Sequence, residues 1–286
     1  MCFNEKKIKD IHPCIDLNFT FDDHLIGLYN AYKERDKNVI NENFYNIGTN
    51  ILAEQVLTDS KKHSDIYKIL SSKGDCRNKL VELAIWRSKM WANGKPLKVK
   101  FLGGDSYLHE KVILYAKKWE EIANISFDFV NTVNAEIRVS FLSGNGSWSY
   151  IGTDILNITD QTQPTMNFGW FDYNTPDIEF SRTIVHEFGH SLGCIHEHQS
   201  PATNIQWNKP LVYDYYWRTQ GWDKQKVDNN LFAKFDQNEI TNSSFDRNSI
   251  MLYPIPREFT TDGYFVGWNS FLSPVDIDFI KKCYPK

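Results

Sequence analysis

A chain of 286 residues with 41% hydrophobic and 15% aromatic content can fill one large domain, or a catalytic domain with an accessory segment. The formal charge of −4, with no basic run beyond pairs such as Lys6-Lys7 and Lys61-Lys62, removes the electrostatic case for a nucleic-acid partner. No stretch approaches the ~18 consecutive apolar residues of a membrane span, and five scattered cysteines without a CxxC pair make a disulfide scaffold unexpected.

Residues 1–92 read as a mostly helical segment of unassigned role. Leu25, Leu28, Tyr29 and Tyr32 recur at helical spacing, as do Phe44, Ile47, Ile51 and Leu52, and a further helix is predicted over Lys79–Met90. The first residues carry Glu5, Lys6, Lys7, Lys9 and Asp10 where a secretory signal needs an apolar run. A cytoplasmic chain, or one exported by a signal-independent route, is therefore expected.

Asn93-Gly94-Lys95-Pro96 is a loop signal and marks the boundary to a second unit, residues 93–286. There the pattern predicts a strand over Leu97–Leu102, a long amphipathic helix over Tyr107–Ile122, and strands over Ser126–Val130 and Glu136–Leu142. Ser143–Ser149 reads as a loop and Met166–Trp170 as a short strand. Helices follow over Ile178–Leu192, Lys209–Thr219 and Pro274–Cys283, the last with Ser273 as N-cap and Pro at its first position. The expectation is an α+β fold, a mixed sheet backed by a helix.

The chemistry concentrates in His186-Glu187-Phe188-Gly189-His190-Ser191-Leu192-Gly193-Cys194-Ile195-His196-Glu197. Residues four apart share a helix face, so His186 and His190 can offer two imidazoles to one metal. Glu187, one step round, reaches a water at that metal without ligating. Gly193 can end the helix in a conformation most residues avoid, letting the chain turn back and deliver His196. Three nitrogens with a fourth position open are the pattern of a catalytic zinc site. One zinc ion is therefore expected, with Glu187 as general base toward a metal-activated water.

That segment meets HExxHxxGxxH at every fixed position and so resembles the metzincin zinc proteases. Ser249-Ile250-Met251-Leu252-Tyr253 resembles their Met-containing turn, and Glu197 and Tyr253 are astacin-like. The likeness spans about residues 95–286 and includes Gly146–Thr153, Thr165–Gly169 and His196–Pro201. It implies a twisted mixed sheet with a backing helix and an active-site helix. It also implies a zinc endopeptidase acting on extended polypeptide that pairs with an edge strand, near Ile137–Phe141 or in the loop after it. By the same resemblance Met251 floors the metal, and Tyr253 is a phenol that can ligate the resting zinc and then stabilise the oxyanion. A target-specific effector protease and a non-catalytic zinc-binding module are the alternatives. Leu252 departs from the pattern, since astacins usually carry His there, and no counterpart of the animal astacin disulfides is present.

Several neighbours have plainer roles. Glu197 reads as a buried, hydrogen-bonded structural carboxylate, Cys194 as a packing residue, and His198 as surface or supporting the ligands rather than ligating. Asp105 is assigned to a turn, and Tyr213, Tyr215, Tyr216, Trp217 and Trp222 to core packing. The oligomeric state is open.

Overall fold

The computed structural model describes residues 89–131, 134–234 and 245–286. The helices expected in residues 1–88 lie outside the described residues, as do Cys2, Cys14 and Cys76.

Strand β1 (Pro96–Phe101) starts on a proline, where the missing N–H costs least. It is followed by helix α1 (Ser106–Ala116) and the short α2 (Lys118–Ile122), then β2 (Ser126–Phe129), β3 (Ile137–Ser140), β4 (Ser147–Ser149) and β5 (Met166–Phe168). Helix α3 (Asp177–Ser191) comes next, and then α4 (Lys209–Gln220), α5 (Lys224–Val227) and α6 (Pro274–Cys283). The sheet order is β2-β1-β3-β5-β4. β1 pairs in parallel with β2 and β3, β3 in parallel with β5, and β4 runs antiparallel to β5, with Ser147 opposite Phe168.

The fold is thus the expected mixed sheet with helices packed on it, and three details differ from the sequence reading. The helix predicted over Tyr107–Ile122 is broken at Lys117, whose ψ of −10° flattens the turn. That break lets Trp119 bury fully and donate its indole N–H to the Val185 carbonyl of α3 at 3.0 Å. The Ser143–Ser149 loop contains a strand, because Asn167 fixes its approach: its Nδ2 donates to Leu142 O at 3.1 Å and Gly146 O at 2.6 Å. No Ser/Gly composition reveals such a partner. Finally, β3 is buried at every residue and lies between β1 and β5, so Ile137–Phe141 is not an edge; the edge strands are β2 and β4, the latter in the loop after that segment.

Two apolar clusters share the work of packing. The larger joins the sheet, α1 and α3 through Val99, Val112, Trp119, Val139, Ile184 and Phe188, each essentially buried. Each such side chain contributes about 1.5–3 kcal/mol of hydrophobic stabilisation. The smaller joins α4 to the C-terminal half through Val212, Tyr216, Trp222, Ile255 and Phe259. Tyr216 and Trp222 are core residues as expected, with Tyr213 and Tyr215 packed against them, whereas Trp217 lies on the outer face of α4 at 64% exposure. Cys194 is buried in the larger cluster, and Cys194 and Cys283 are both free thiols.

Candidate metal centre

Helix α3 carries His186 and His190 on one face, and almost every residue from Phe180 to its end is buried. Its close is set by Gly193, at φ +98°, a left-handed conformation that favours glycine. Gly193 N–H donates to His190 O at 2.8 Å and Cys194 N–H to Gly189 O at 3.0 Å, so the last carbonyls of the helix are satisfied as the chain reverses. The reversal brings in His196. The three Nε2 atoms then stand 3.1–3.2 Å from one another, the only group of three or more potential metal-ligating side chains among the described residues.

Three imidazole nitrogens cannot all hydrogen-bond to one another at that spacing. Ligands about 2.0–2.1 Å from one zinc ion do lie about this far apart. The tautomers agree with a shared ion. His186 Nδ1 lies 2.8 Å from Ile250 O and His190 Nδ1 lies 2.8 Å from Cys194 O. A carbonyl accepts only, so each Nδ1 carries the proton and each Nε2 keeps its lone pair for the common point. Burial, followed by the neighbouring imidazoles His190 and His196, holds the His186 pKa well below the ordinary value of 6.5, which keeps that ring in its neutral, ligating form. The donor set fits zinc.

Around this centre, Glu187 is 1% exposed and lines the same pocket as His186 and Tyr253. The Tyr253 ring lies 4.3 Å from the His196 ring, centroid to centroid, and 6.2 Å from that of His186. Met251 lies against α3 at Gly189, next to His190 in the chain: a Cβ at Gly189 would stand 2.6 Å from Met251 Sδ, so glycine there is what admits the sulfur. Glu197 N–H donates to Met251 O at 3.0 Å, while Glu197 Oε1 accepts from Asp246 N–H at 2.8 Å. Burial pushes the Glu197 carboxyl up to about 7, against the lowering effect of that hydrogen bond. Glu197 is thus a hydrogen-bonded carboxylate joining the His196 segment to the Met251 turn. His198 is buried behind Tyr253, at 4.7 Å between rings, with Nε2 2.9 Å from Asn230 O. Asp105 caps α1, accepting from Leu108 N–H at 3.1 Å.

The sequence reading gathered His186, Glu187, His190, His196, Met251 and Tyr253 in advance, and the structure brings all of them together. It missed the far wall of the pocket, formed by Trp170, Arg182, Pro254, Trp268 and Asn269. Arg182 carried a signal, being one turn before His186 on the same helix face; the indoles carried none.

Comparison with known proteins agrees with this geometry. The family model described as Astacin, a peptidase family, matches residues 85–284. Two solved structures of myroilysin are 50% identical to this chain over 70% of its length, covering 97% and 87% of the myroilysin chains at TM-scores of 0.68 and 0.57. Protein SpAN of Strongylocentrotus purpuratus is 31% identical over 117 residues, 40% of this chain, which spans only 16% of SpAN. With the family matched over most of its length, the chain belongs to the astacin family of zinc metalloendopeptidases.

Proposed function

We propose that His186, His190 and His196 hold one catalytic zinc ion and that Glu187 is the general base for hydrolysis of a peptide bond in an extended polypeptide. The observation that carries this reading is the convergence of three Nε2 lone pairs on one point, with a buried carboxylate and a phenol beside it. Zinc, when bound, polarises the scissile carbonyl and lowers the pKa of water to about 7. Glu187 takes the proton of the attacking water and passes it to the leaving amine. Tyr253 donates its phenolic proton in a hydrogen bond to the oxyanion as the carbonyl becomes tetrahedral. β4, an edge strand of the sheet, offers backbone groups to which the substrate adds as a further strand.

Casein digestion by the zinc-loaded chain, beside its Glu187→Gln variant, tests the reading. The wild type should cleave, and the variant should retain zinc and fold while losing turnover. Substantial activity in the variant would remove Glu187 from the mechanism.

A further inference from the structure

Strand β4 is only three residues long, and the segment leading into it has little stiffness of its own. Gly144 and Gly146 take left-handed conformations, at φ +81° and +65°, and neither carries a side chain that could anchor the loop. The anchor comes from β5. Asn167, fully buried and opposite Trp148 in the β4–β5 pair, uses every hydrogen-bonding position of its amide. Its Oδ1 accepts from Leu142 N–H at 2.8 Å and the Ser140 hydroxyl at 2.7 Å, and its Nδ2 donates to Leu142 O at 3.1 Å and Gly146 O at 2.6 Å. Leu142 N–H can only donate and the two carbonyls only accept, so these partners fix which way the amide points. The side chain meets Leu142 as the peptide group of a neighbouring strand would, and it reaches Gly146 as well.

A second contact holds the same loop. A Cβ at Gly169, just beyond β5, would stand 2.4 Å from Gly146 O, so the Gly146 peptide rests directly on that glycine, and Gly169 N–H donates to the Ser147 hydroxyl at 3.3 Å. β4 in turn packs beside α3, the helix that carries His186 and His190. Asn167 and Gly169 therefore set where β4 lies relative to the metal centre. Strand pairing is sensitive to that placement, because N–H···O bonds form over about 2.7–3.2 Å, and a shift of about 1 Å breaks them. Resting on the reading of β4 as the strand to which substrate adds, we infer that Asn167 is a positioning residue for the substrate. It acts through β4, with Gly169 behind it, and holds the strand where an extended polypeptide can pair beside the metal centre.

The test compares two substrates of the zinc-loaded full chain. One is a casein-derived peptide of about ten residues, long enough to run along β4 at about 3.3 Å per residue, and the other is the shortest core of it that is still cut. In the wild type the long peptide should have the lower KM. Asn167→Asp keeps the acceptor for Leu142 N–H but sets a carboxylate oxygen against the Leu142 and Gly146 carbonyls, and Gly169→Ala displaces Gly146 without adding a charge. In each variant KM for the long peptide should rise on the order of tenfold, towards that of the core, with kcat within about twofold and zinc content unchanged. A folded variant in which the long peptide keeps its advantage would overturn the inference and leave Asn167 a contact of the fold alone. A fall in kcat with KM unchanged would overturn it as well, and so would failure of both variants to fold. A wild type with equal KM for the two peptides defeats the reading of β4 itself, and one that cuts neither casein nor its peptides defeats the peptidase reading; both differ from a wild type that prefers the long peptide and variants that still do.

Discussion

At the scale of single residues, the centre depends on hydrogen bonds that fix which nitrogen is free. The carbonyls of Ile250 and Cys194 hold two imidazoles with Nε2 exposed to the common point, and one of them comes from a turn far along the chain. Such partners orient ligands and raise their basicity. His190→Ala removes one of the three proposed ligands, and zinc content measured by atomic absorption after dialysis should fall below about half an equivalent. Full zinc retention would displace His190 from the ligand set. Tyr253 packs on His196 and is 7% exposed, so Phe fits the same space. Tyr253→Phe should therefore lower kcat on the order of 10²-fold with little change in KM, since only the oxyanion donor is lost. An unchanged kcat would reduce Tyr253 to packing.

At the scale of elements, the Met251 turn is the hinge between the two cores. Ile250 and Met251 pack in the larger cluster and Leu252 in the smaller, which gives an apolar residue at that position a packing role. The turn is braced by the start of α6. Asp276 accepts from the Ser249 hydroxyl at 2.7 Å, Ile250 N–H at 2.8 Å and Ser273 N–H at 2.9 Å, while Ser273 Oγ accepts from Asp276 N–H. Burial raises the Asp276 pKa although these hydrogen bonds act to lower it. One capping box thus closes a helix and also steadies the peptide whose carbonyl orients His186. Ser273→Ala should cost about 1 kcal/mol in urea unfolding. A change within error would mean that Asp276 holds the turn without the cap. The sequence showed this cap through Ser273-Pro274, but not that its N3 carboxylate braces a turn 26 residues upstream at Ile250, because that contact depends on how α6 docks.

Across the described residues, the segment at Trp91, before the expected boundary at Asn93, and the C-terminal Tyr284 meet at the end of α3. The Tyr284 hydroxyl donates to Leu192 O at 2.8 Å and accepts from Trp91 N–H at 3.1 Å, and the Trp91 indole donates to Ser191 O at 2.7 Å. Carbonyls at the end of the histidine-bearing helix are thereby satisfied by Trp91 and Tyr284, which lie 193 residues apart in the chain. Tyr284→Phe leaves buried groups without this partner and should destabilise the fold by about 1–3 kcal/mol in denaturant unfolding. A loss well below that range would mean the groups find other partners.

The sequence by itself determined the candidate ligands and base, the Met251 turn and most of the helices among the described residues. These are local facts: a four-residue period puts two imidazoles on one face, and a glycine permits the reversal that delivers the third. The tertiary structure alone decided the break at Lys117, the strand at Ser147–Ser149, the edge position of β4 and the Arg182–Trp268 wall. Each of these follows from contacts between residues distant along the chain, such as Trp119 with Val185 or Asn167 with Gly146, and such contacts leave no period or composition to read.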